Sequence, residues 1–475
     1  MAERALWTLQ ELVAATGGHV EGNTSASMNG VSIDSRSIAP GDIFVAIKGD
    51  THDGHDFVPK ALSAGAGIAI VSNATDEMKA AGALLVVKDD PLRGLEAMGR
   101  AARNWNKGKS IAVTGSVGKT STKEMLRVAF AASGATHASA SSFNNHWGVP
   151  LTLARLPRDT AYGIFEIGMN HAGEITPLVG MVQPHVAIIT TIAASHLGHF
   201  KSLDDIAEAK SEILSGVVPG GAAVINRDSP YFDFLKDRAK INGIVHVIGF
   251  GRHEKADVRL TQLALHPTCS CISADVMGEP VTFKLGVPGE HMALNSLSVL
   301  ASIKLAGADL ARAALALSQA QPAKGRGGQE LLQIERGDVL LLDESYNANP
   351  ESMAAALNLL AVASGARKGR RIAVLGDMLE LGAFSADLHK GLAPALEAAR
   401  IDKLYAAGPM MQHLWDAVPE KRRAAYASTS MELVDKLSAD LQAGDSLVVK
   451  GSLGSKMGPL VAALRQRFPE KMKET

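Results

Sequence analysis

The stretch Ile111-Ala112-Val113-Thr114-Gly115-Ser116-Val117-Gly118-Lys119-Thr120-Ser121 decides how the rest of the chain is read. An apolar run leads into a glycine loop, and Lys119-Thr120 opens a segment of helical character. Strand, glycine loop, Lys-Thr and helix together make a phosphate-binding layout. Glycines let backbone N–H groups approach phosphate oxygens, and the helix N-terminus adds partial positive charge. Lys119 is placed to reach the outer phosphates and Thr120 to offer a hydroxyl to Mg²⁺. The loop therefore predicts a protein that handles a nucleoside triphosphate. Only two residues separate Gly115 from Gly118, where the common pattern has four before its Gly-Lys pair. That spacing points away from GTPases, kinesin-like motors and transporter ATPases. The only Asn-Lys, in Asn106-Lys107-Gly108-Lys109, precedes the loop and lacks the aspartate of a guanine-reading motif.

A chain of 475 residues has room for about three domains. Its composition, 46% hydrophobic and 20% charged with 46 glycines, is that of an ordinary α/β protein. The formal net charge of −1 gives no support for a nucleic-acid or membrane-surface partner. Two cysteines, Cys269 and Cys271, lie in a strand-like run, too few ligands for a zinc site, and the low count fits a reducing compartment. No apolar run approaches a membrane span. The segment from Met1 to Leu12 reads as the start of an amphipathic helix ended by Gly17-Gly18, without the features of a signal peptide. The expected location is cytoplasmic.

Three parts are expected: residues 1–109, 110–322 and 323–475. The first is a smaller α/β domain with strands at Ile43–Ile47, Ile68–Val71 and Leu84–Val87 and a helix at Leu92–Trp105. The second alternates strands (Ile111–Thr114, Tyr162–Ile167, Val186–Ile192, Ala222–Asn226) with helices, which predicts a mainly parallel, mononucleotide-binding sheet covered on both faces. A β-rich patch over Val245–Leu285 and a helix at Glu290–Ala306 follow. The third repeats strand, turn and helix in a Rossmann-like manner, with strands at Val339–Asp343, Arg371–Leu375, Lys403–Ala406 and Ser446–Val449. Three of these run into Gly376-Asp377, Gly408 and Gly451-Ser452. Open α/β sheets bind ligands at the carboxyl ends of their strands.

Several residues stand where triphosphate chemistry would use them. Glu166 ends a strand and can reach the cleft of the glycine loop, and Mg²⁺ prefers such oxygen ligands. His196 and His199 follow the next strand. Lys210, within a helical stretch, reads on its own as a solvated surface lysine. Ser141–Pro150 is a polar, turn-rich stretch with paired asparagines, which supply both donors and acceptors. Leu340-Leu341-Leu342-Asp343-Glu344 imitates the metal-binding strand of transporter ATPases. The short glycine loop and the foreign sequence Tyr346-Asn347-Ala348-Asn349-Pro350 exclude that reading.

Taken together, these residues resemble the ATP-dependent Mur ligase family, which builds the peptide stem of the peptidoglycan precursor. The match spans nearly the whole chain, and the Gly-Ser-Val-Gly-Lys-Thr loop is specific to that superfamily, which folylpolyglutamate synthase shares in related form. Ser142-Phe143-Asn144-Asn145, Asp343–Pro350 and Leu375-Gly376-Asp377-Met378-Leu379-Glu380-Leu381-Gly382 resemble the branch that adds D-alanyl-D-alanine to UDP-N-acetylmuramoyl-tripeptide. Asp34-Ser35-Arg36 and Gly41–Ala46 fit its uridine-nucleotide domain. The resemblance implies an amide ligase, expected to act as a monomer, that uses ATP and Mg²⁺ and closes its C-terminal domain over the substrates.

It also implies roles. Residues 115–121 (Gly115, Ser116, Val117, Gly118, Lys119, Thr120, Ser121) would hold ATP, with Thr120 and Glu166 on the first Mg²⁺. His196 and a carbamylated Lys210 would serve a second metal; with Lys119 they form the expected catalytic set. Asn295, Arg326 and Asp343 would contact the nucleotide. Ser35, Arg36, Asn144 and Asn145 would face the sugar-peptide substrate, and Tyr346, Asn347 and Asn349 the junction of nucleotide and incoming dipeptide. One departure is His291-Met292, where the family usually has His-Asn. His291 and Asn295 still share a helix face one turn apart.

Overall fold

The computed structural model describes residues 5–24, 27–140, 142–195, 197–365 and 367–470. Its strands form three sheets of five, nine and six strands. No helix among the described residues is long and apolar enough to cross a membrane.

The first sheet runs, edge to edge, through His19–Glu21, Leu84–Val86, Ile68–Val71, Asp42–Val45 and Gly30–Ser32. All neighbours are parallel except the outer pair His19–Glu21 and Leu84–Val86. Ile68-Ala69-Ile70-Val71 is buried at every residue, the signature of a parallel strand covered on both faces. The helix Pro91–Trp105 closes one face. Its start is fixed by Asp90, which accepts from the Leu92 N–H, and by Pro91 in the first turn.

The N-terminal helix differs from the sequence expectation. It spans Leu9–Thr16, opened by a capping box between Thr8 and Glu11 and closed by Gly17 at φ +68°. Residues 1–4 lie outside the described residues. Trp7, expected within the helix, is instead buried and bridged to Met28, and its Nε1 donates to the Ala154 carbonyl at 2.8 Å. Further bonds fasten the first sheet to the second. Arg155 Nε donates to Val31 O at 2.6 Å, and Arg103 donates to the carbonyls of Val182 and Gln183 at 2.7 and 2.9 Å. Arg158 lies 4.0 Å over the Trp105 ring and pairs with Glu11.

In the nine-stranded sheet the order is Glu279–Leu285, Ser270–Val276, Val258–Leu265, His246–Gly251, Ala222–Asn226, Val186–Ile189, Lys109–Thr114, Tyr162–Glu166, Thr136–Ala138. The strands from Thr136–Ala138 to Val258–Leu265 are parallel, and the last two add an antiparallel meander. Alternate residues of Lys109–Thr114 serve opposite cores. Ile111 and Val113 pack with Met125, Leu126 and Phe130, while Ala112 packs with Phe165 and Ile189. Cys271 lies in the meander, but Cys269 falls in the turn before it; both are free thiols. The strand expected to reach Ile192 ends at Ile189, because the next residues turn to hold the glycine loop. Thr190 Oγ1 donates to Val117 O at 2.6 Å, and Thr191 O accepts from Ser116 N at 2.8 Å.

The third sheet runs Gly328–Ile334, Gly337–Glu344, Ser446–Lys450, Arg371–Gly376, Lys403–Ala407, Arg423–Ala427. Its first two strands form an antiparallel hairpin and the others are parallel. Gly198 N donates to Glu380 O at 2.7 Å, so this sheet's loops meet those of the central one.

Candidate active site

The glycine loop leaves the carboxyl end of Lys109–Thr114, between its neighbours Tyr162–Glu166 and Val186–Ile189, and feeds the helix Lys119–Ala131. Glycine is required twice. Gly115 sits at φ +147°, and a Cβ there would stand 1.9 Å from Thr190 Oγ1. Gly118 sits at φ +89°, and a Cβ there would stand 2.5 Å from Asn295 Nδ2. Ser116 is tied down by its Oγ, which donates to Ala193 O at 2.9 Å and accepts from Ala193 N. Lys119 folds back so that Nζ donates to Gly115 O at 2.6 Å. Burial pushes its ammonium down to about 8; Glu166 opposes the fall and Arg326 adds to it.

A cavity of about 430 Å³ joins the second and third sheets. From the second come Ser116–Ser121, Asn144, Glu166 and Asn295; from the third and its approach come Arg326, Tyr346, Asn347, Asn349 and Lys450. The loop residues and candidates from three distant stretches of sequence thus meet in one space. Thr120 Oγ1 donates to Glu166 Oε1 at 3.1 Å. Glu166 Oε2 is buried and has no hydrogen-bond partner among the described residues. Arg326 stacks over the Tyr346 ring at 4.5 Å.

Other candidates are placed differently. Asp343 lines an adjoining cavity of about 850 Å³, which shares Thr120, Arg326 and Tyr346 with the first. Its carboxylate accepts from Ser345 N and Oγ and from Arg465 Nη2 at 3.0 Å. Asn349 caps the helix Pro350–Ser364, its side chain accepting from Ser352 N at 2.9 Å. Asn145 is exposed and accepts from Trp147 N and Gly148 N, setting the start of the helix Gly148–Ala154. Ser35 and Arg36 lie in the turn after Gly30–Ser32, away from both cavities; Arg36 pairs with Asp34, whose carboxyl it holds down to about 2. Lys210, expected on its own to be a surface lysine, is 1% exposed on the helix Leu203–Ser211. Burial, reinforced by the charge of Lys119, drives its amine well below the usual lysine range. His196 lies outside the described residues, as does Ser141.

Sequence reasoning missed Lys450 and Glu351 of the cavity wall. Lys450 is 3% exposed and donates to Asn347 O at 2.8 Å and to Glu344 Oε2 at 3.2 Å. Burial lowers its ammonium and Glu344 counters that. Glu351 stands in the first turn of the capped helix, its carboxyl raised by desolvation. The signal for Lys450 was its place at the carboxyl end of an apolar strand, directly before Gly451-Ser452.

Comparison with known proteins agrees along the whole length. The Mur ligase middle domain matches residues 113–303, the Mur ligase glutamate ligase domain residues 330–453, and the Mur ligase family catalytic domain residues 27–106. The chain is 34% identical over 464 residues to UDP-N-acetylmuramoyl-tripeptide–D-alanyl-D-alanine ligase of Escherichia coli (strain K12), covering 97% of this chain and 98% of that protein. The identically named protein of Rickettsia prowazekii (strain Madrid E) is 32% identical over 456 residues, 96% of this chain and 99% of that one. A crystal structure of MurF from Acinetobacter baumannii superposes with a TM-score of 0.84 at 32% identity, covering 97% and 99% of the two chains. With its short glycine loop, its cavity shared by two sheets and this end-to-end likeness, the chain belongs to the Mur ligase family.

Proposed function

We propose that the protein is an ATP- and Mg²⁺-dependent amide ligase joining D-alanyl-D-alanine to UDP-N-acetylmuramoyl-tripeptide, a cytoplasmic step in peptidoglycan precursor synthesis, and that it acts as a monomer. The observation that carries the reading is the single cavity in which Lys119, Thr120 and Glu166 face Arg326, Tyr346 and Lys450 of the third sheet. The substrates are those named for the relatives in Escherichia coli and Rickettsia prowazekii, which this chain matches over nearly their full length.

In this reading residues 1–109 hold the uridine-nucleotide end, with Ser35 and Arg36 as contacts and Asn145 toward the sugar-peptide. Residues 110–322 hold ATP through the glycine loop and Asn295. Residues 323–475 bring the acceptor, with Tyr346, Asn347 and Asn349 at its junction with the nucleotide and Asp343 toward the nucleotide.

A carboxylate is a poor electrophile, so it must first be activated. The tripeptide's terminal carboxylate oxygen takes the γ-phosphate, the bond to the β-phosphate oxygen breaks, and ADP leaves. The dipeptide amine then attacks the acyl carbon and loses a proton, and the C–O bond breaks to release inorganic phosphate. Two anions meet in the first step, and Lys119 and Arg326, with Lys450 in the same cavity, offset their repulsion. Thr120 and the Oε2 of Glu166, which has no hydrogen-bond partner among the described residues, are oxygen donors of the kind Mg²⁺ takes. When bound, the metal supplies charge neutralisation at the phosphates. His196 and Lys210 are assigned to a second ion. Burial favours the neutral amine of Lys210, the form that captures CO₂ to become an anionic carbamate. Residues of the third sheet exclude water that would hydrolyse the acyl phosphate.

The test is ADP release with UDP-N-acetylmuramoyl-tripeptide and, in turn, D-alanyl-D-alanine or glutamate. Release dependent on the dipeptide and on Mg²⁺ is expected, and ¹⁸O in the donor carboxylate should appear in the inorganic phosphate. Turnover with glutamate alone, or label retained in the peptide product, overturns the reading.

A further inference from the structure

Glu166 ends its strand with a side chain that is almost wholly buried, at 1% exposure. Its two oxygens are treated unequally. Oε1 receives Thr120 Oγ1 at 3.1 Å and Asn144 Nδ2 at 2.7 Å. Oε2 receives nothing among the described residues, although it is buried in the wall of the nucleotide cavity. Two donors on one oxygen stop rotation of the carboxylate plane and so fix where the other oxygen points. A buried acceptor without a partner is costly, and a cation would satisfy it.

Asn144 is itself locked. Its backbone carbonyl accepts from Gly168 N at 2.8 Å. A Cβ at Gly168 would stand 3.0 Å from both the carbon and the oxygen of the Asn144 amide, so the missing side chain makes room for the asparagine. Two residues past the carboxylate, the chain thus supplies both the tether and the space for the group that orients it.

We infer that Asn144 is a positioning residue for Glu166: its amide turns the carboxylate so that Oε2 is presented to the metal. This replaces the sugar-peptide contact implied by family resemblance, and it rests on reading Glu166 as a Mg²⁺ ligand. Groups of this kind, one bond removed from a metal, typically change metal affinity 10- to 100-fold when removed.

The test uses Mn²⁺ as probe, titrated into the full-length protein at saturating ADP and followed by the EPR signal of the free ion. Asn144→Ala is expected to weaken Mn²⁺ binding about tenfold. Glu166→Gln should weaken it at least as much, and the double variant should match Glu166→Gln alone, since no carboxylate remains to orient. Calorimetric affinity for UDP-N-acetylmuramoyl-tripeptide should stay within about twofold of the unaltered protein, well under the ~1.4 kcal/mol of a tenfold change. Asn144→Ser, whose shorter side chain stops short of Glu166, should repeat the loss and stands in should the alanine variant not fold. The inference is overturned by wild-type Mn²⁺ affinity in folded Asn144→Ala or Asn144→Ser, by a lowered melting temperature alone, or by losses that multiply in the double variant. Unchanged Mn²⁺ binding in Glu166→Gln would instead overturn the metal reading beneath it.

Discussion

Gly118 and Asn295 are packed so closely that a Cβ on the glycine would stand 2.5 Å from the asparagine's Nδ2. The turn of the phosphate loop and the proposed nucleotide contact are therefore one mechanical unit. Gly118→Ala incurs both a positive-φ penalty, about 1–2 kcal/mol for an L-residue, and displacement of Asn295. ADP affinity should fall at least tenfold, about 1.4 kcal/mol, by calorimetry. Gly173→Ala is the control: φ is nearly the same, +88°, but nothing lies within 4 Å of the added carbon. It should show the backbone penalty in its melting temperature and no loss of ADP affinity.

Lys119 contributes charge, so its removal should be felt in rate more than in fold. Lys119→Ala is expected to lower kcat by about 10²–10³, the scale of losing one charge-stabilising donor, with far-UV CD unchanged. The sign of its pH dependence follows from its depressed value of about 8. Below that pH the free enzyme carries the cation; above it the cation is lost. kcat/KM for ATP should therefore decline as pH rises through about 8, and an alanine variant should lack that limb.

Lys210 sets function against stability. Its folded-state value lies well below 10.5, so between the two the unfolded chain binds more protons and stability rises with pH. In CO₂-free buffer, Lys210→Met should raise the melting temperature at pH 7 by ~2 °C or more and flatten the rise toward alkaline pH. Ligation should be lost. Lys210→Ala should regain part of it with acetate or formate if a carbamate is the working group, and no regain would count against the carbamate.

Lys450 and Glu344 form a pair with one member 3% exposed and the other 14%. Removing the anion leaves a buried cation, the costlier half of such a pair, at roughly 3–5 kcal/mol. Glu344→Gln should therefore lower the urea midpoint more than Lys450→Met. The double variant should be more stable than Glu344→Gln alone, a coupling that a thermodynamic cycle reads directly.

What was legible in the sequence were strands buried on both faces. Ile68–Val71 and Ala222–Asn226 have the expected bounds because unbroken apolar runs leave no other reading. Short edge strands were invisible. His19–Glu21, Thr136–Ala138 and Arg423–Ala427 hold their places through one neighbour and carry no patterned apolar run. The N-terminal helix was placed too early because Trp7 and Leu6 suit an amphipathic stripe as well as a bridge to Met28, and only the Thr8–Glu11 box marks the true start. At the site, the loop Gly115–Ser121 is local chemistry and could be read outright. The bond from Asn144 to Glu166 spans 22 residues, and the Lys450–Glu344 bond spans 106, so no local pattern announces either.

The seam between the first and second sheets has an uneven chemistry. Trp7, Arg103 and Arg155 reach across it, and what they grasp are the peptide oxygens of Ala154, Val182, Gln183 and Val31. A peptide oxygen is present whatever side chain its residue bears. These bonds thus place no demand of their own on the side chains at the grasped positions, where Val31, Ala154 and Val182 answer instead to the buried cores they fill, while the three grasping residues must keep the side chains that reach. An apolar exchange of similar volume at Val31 or Val182 should therefore leave the joint fastened, whereas truncating Trp7, Arg103 or Arg155 should loosen it.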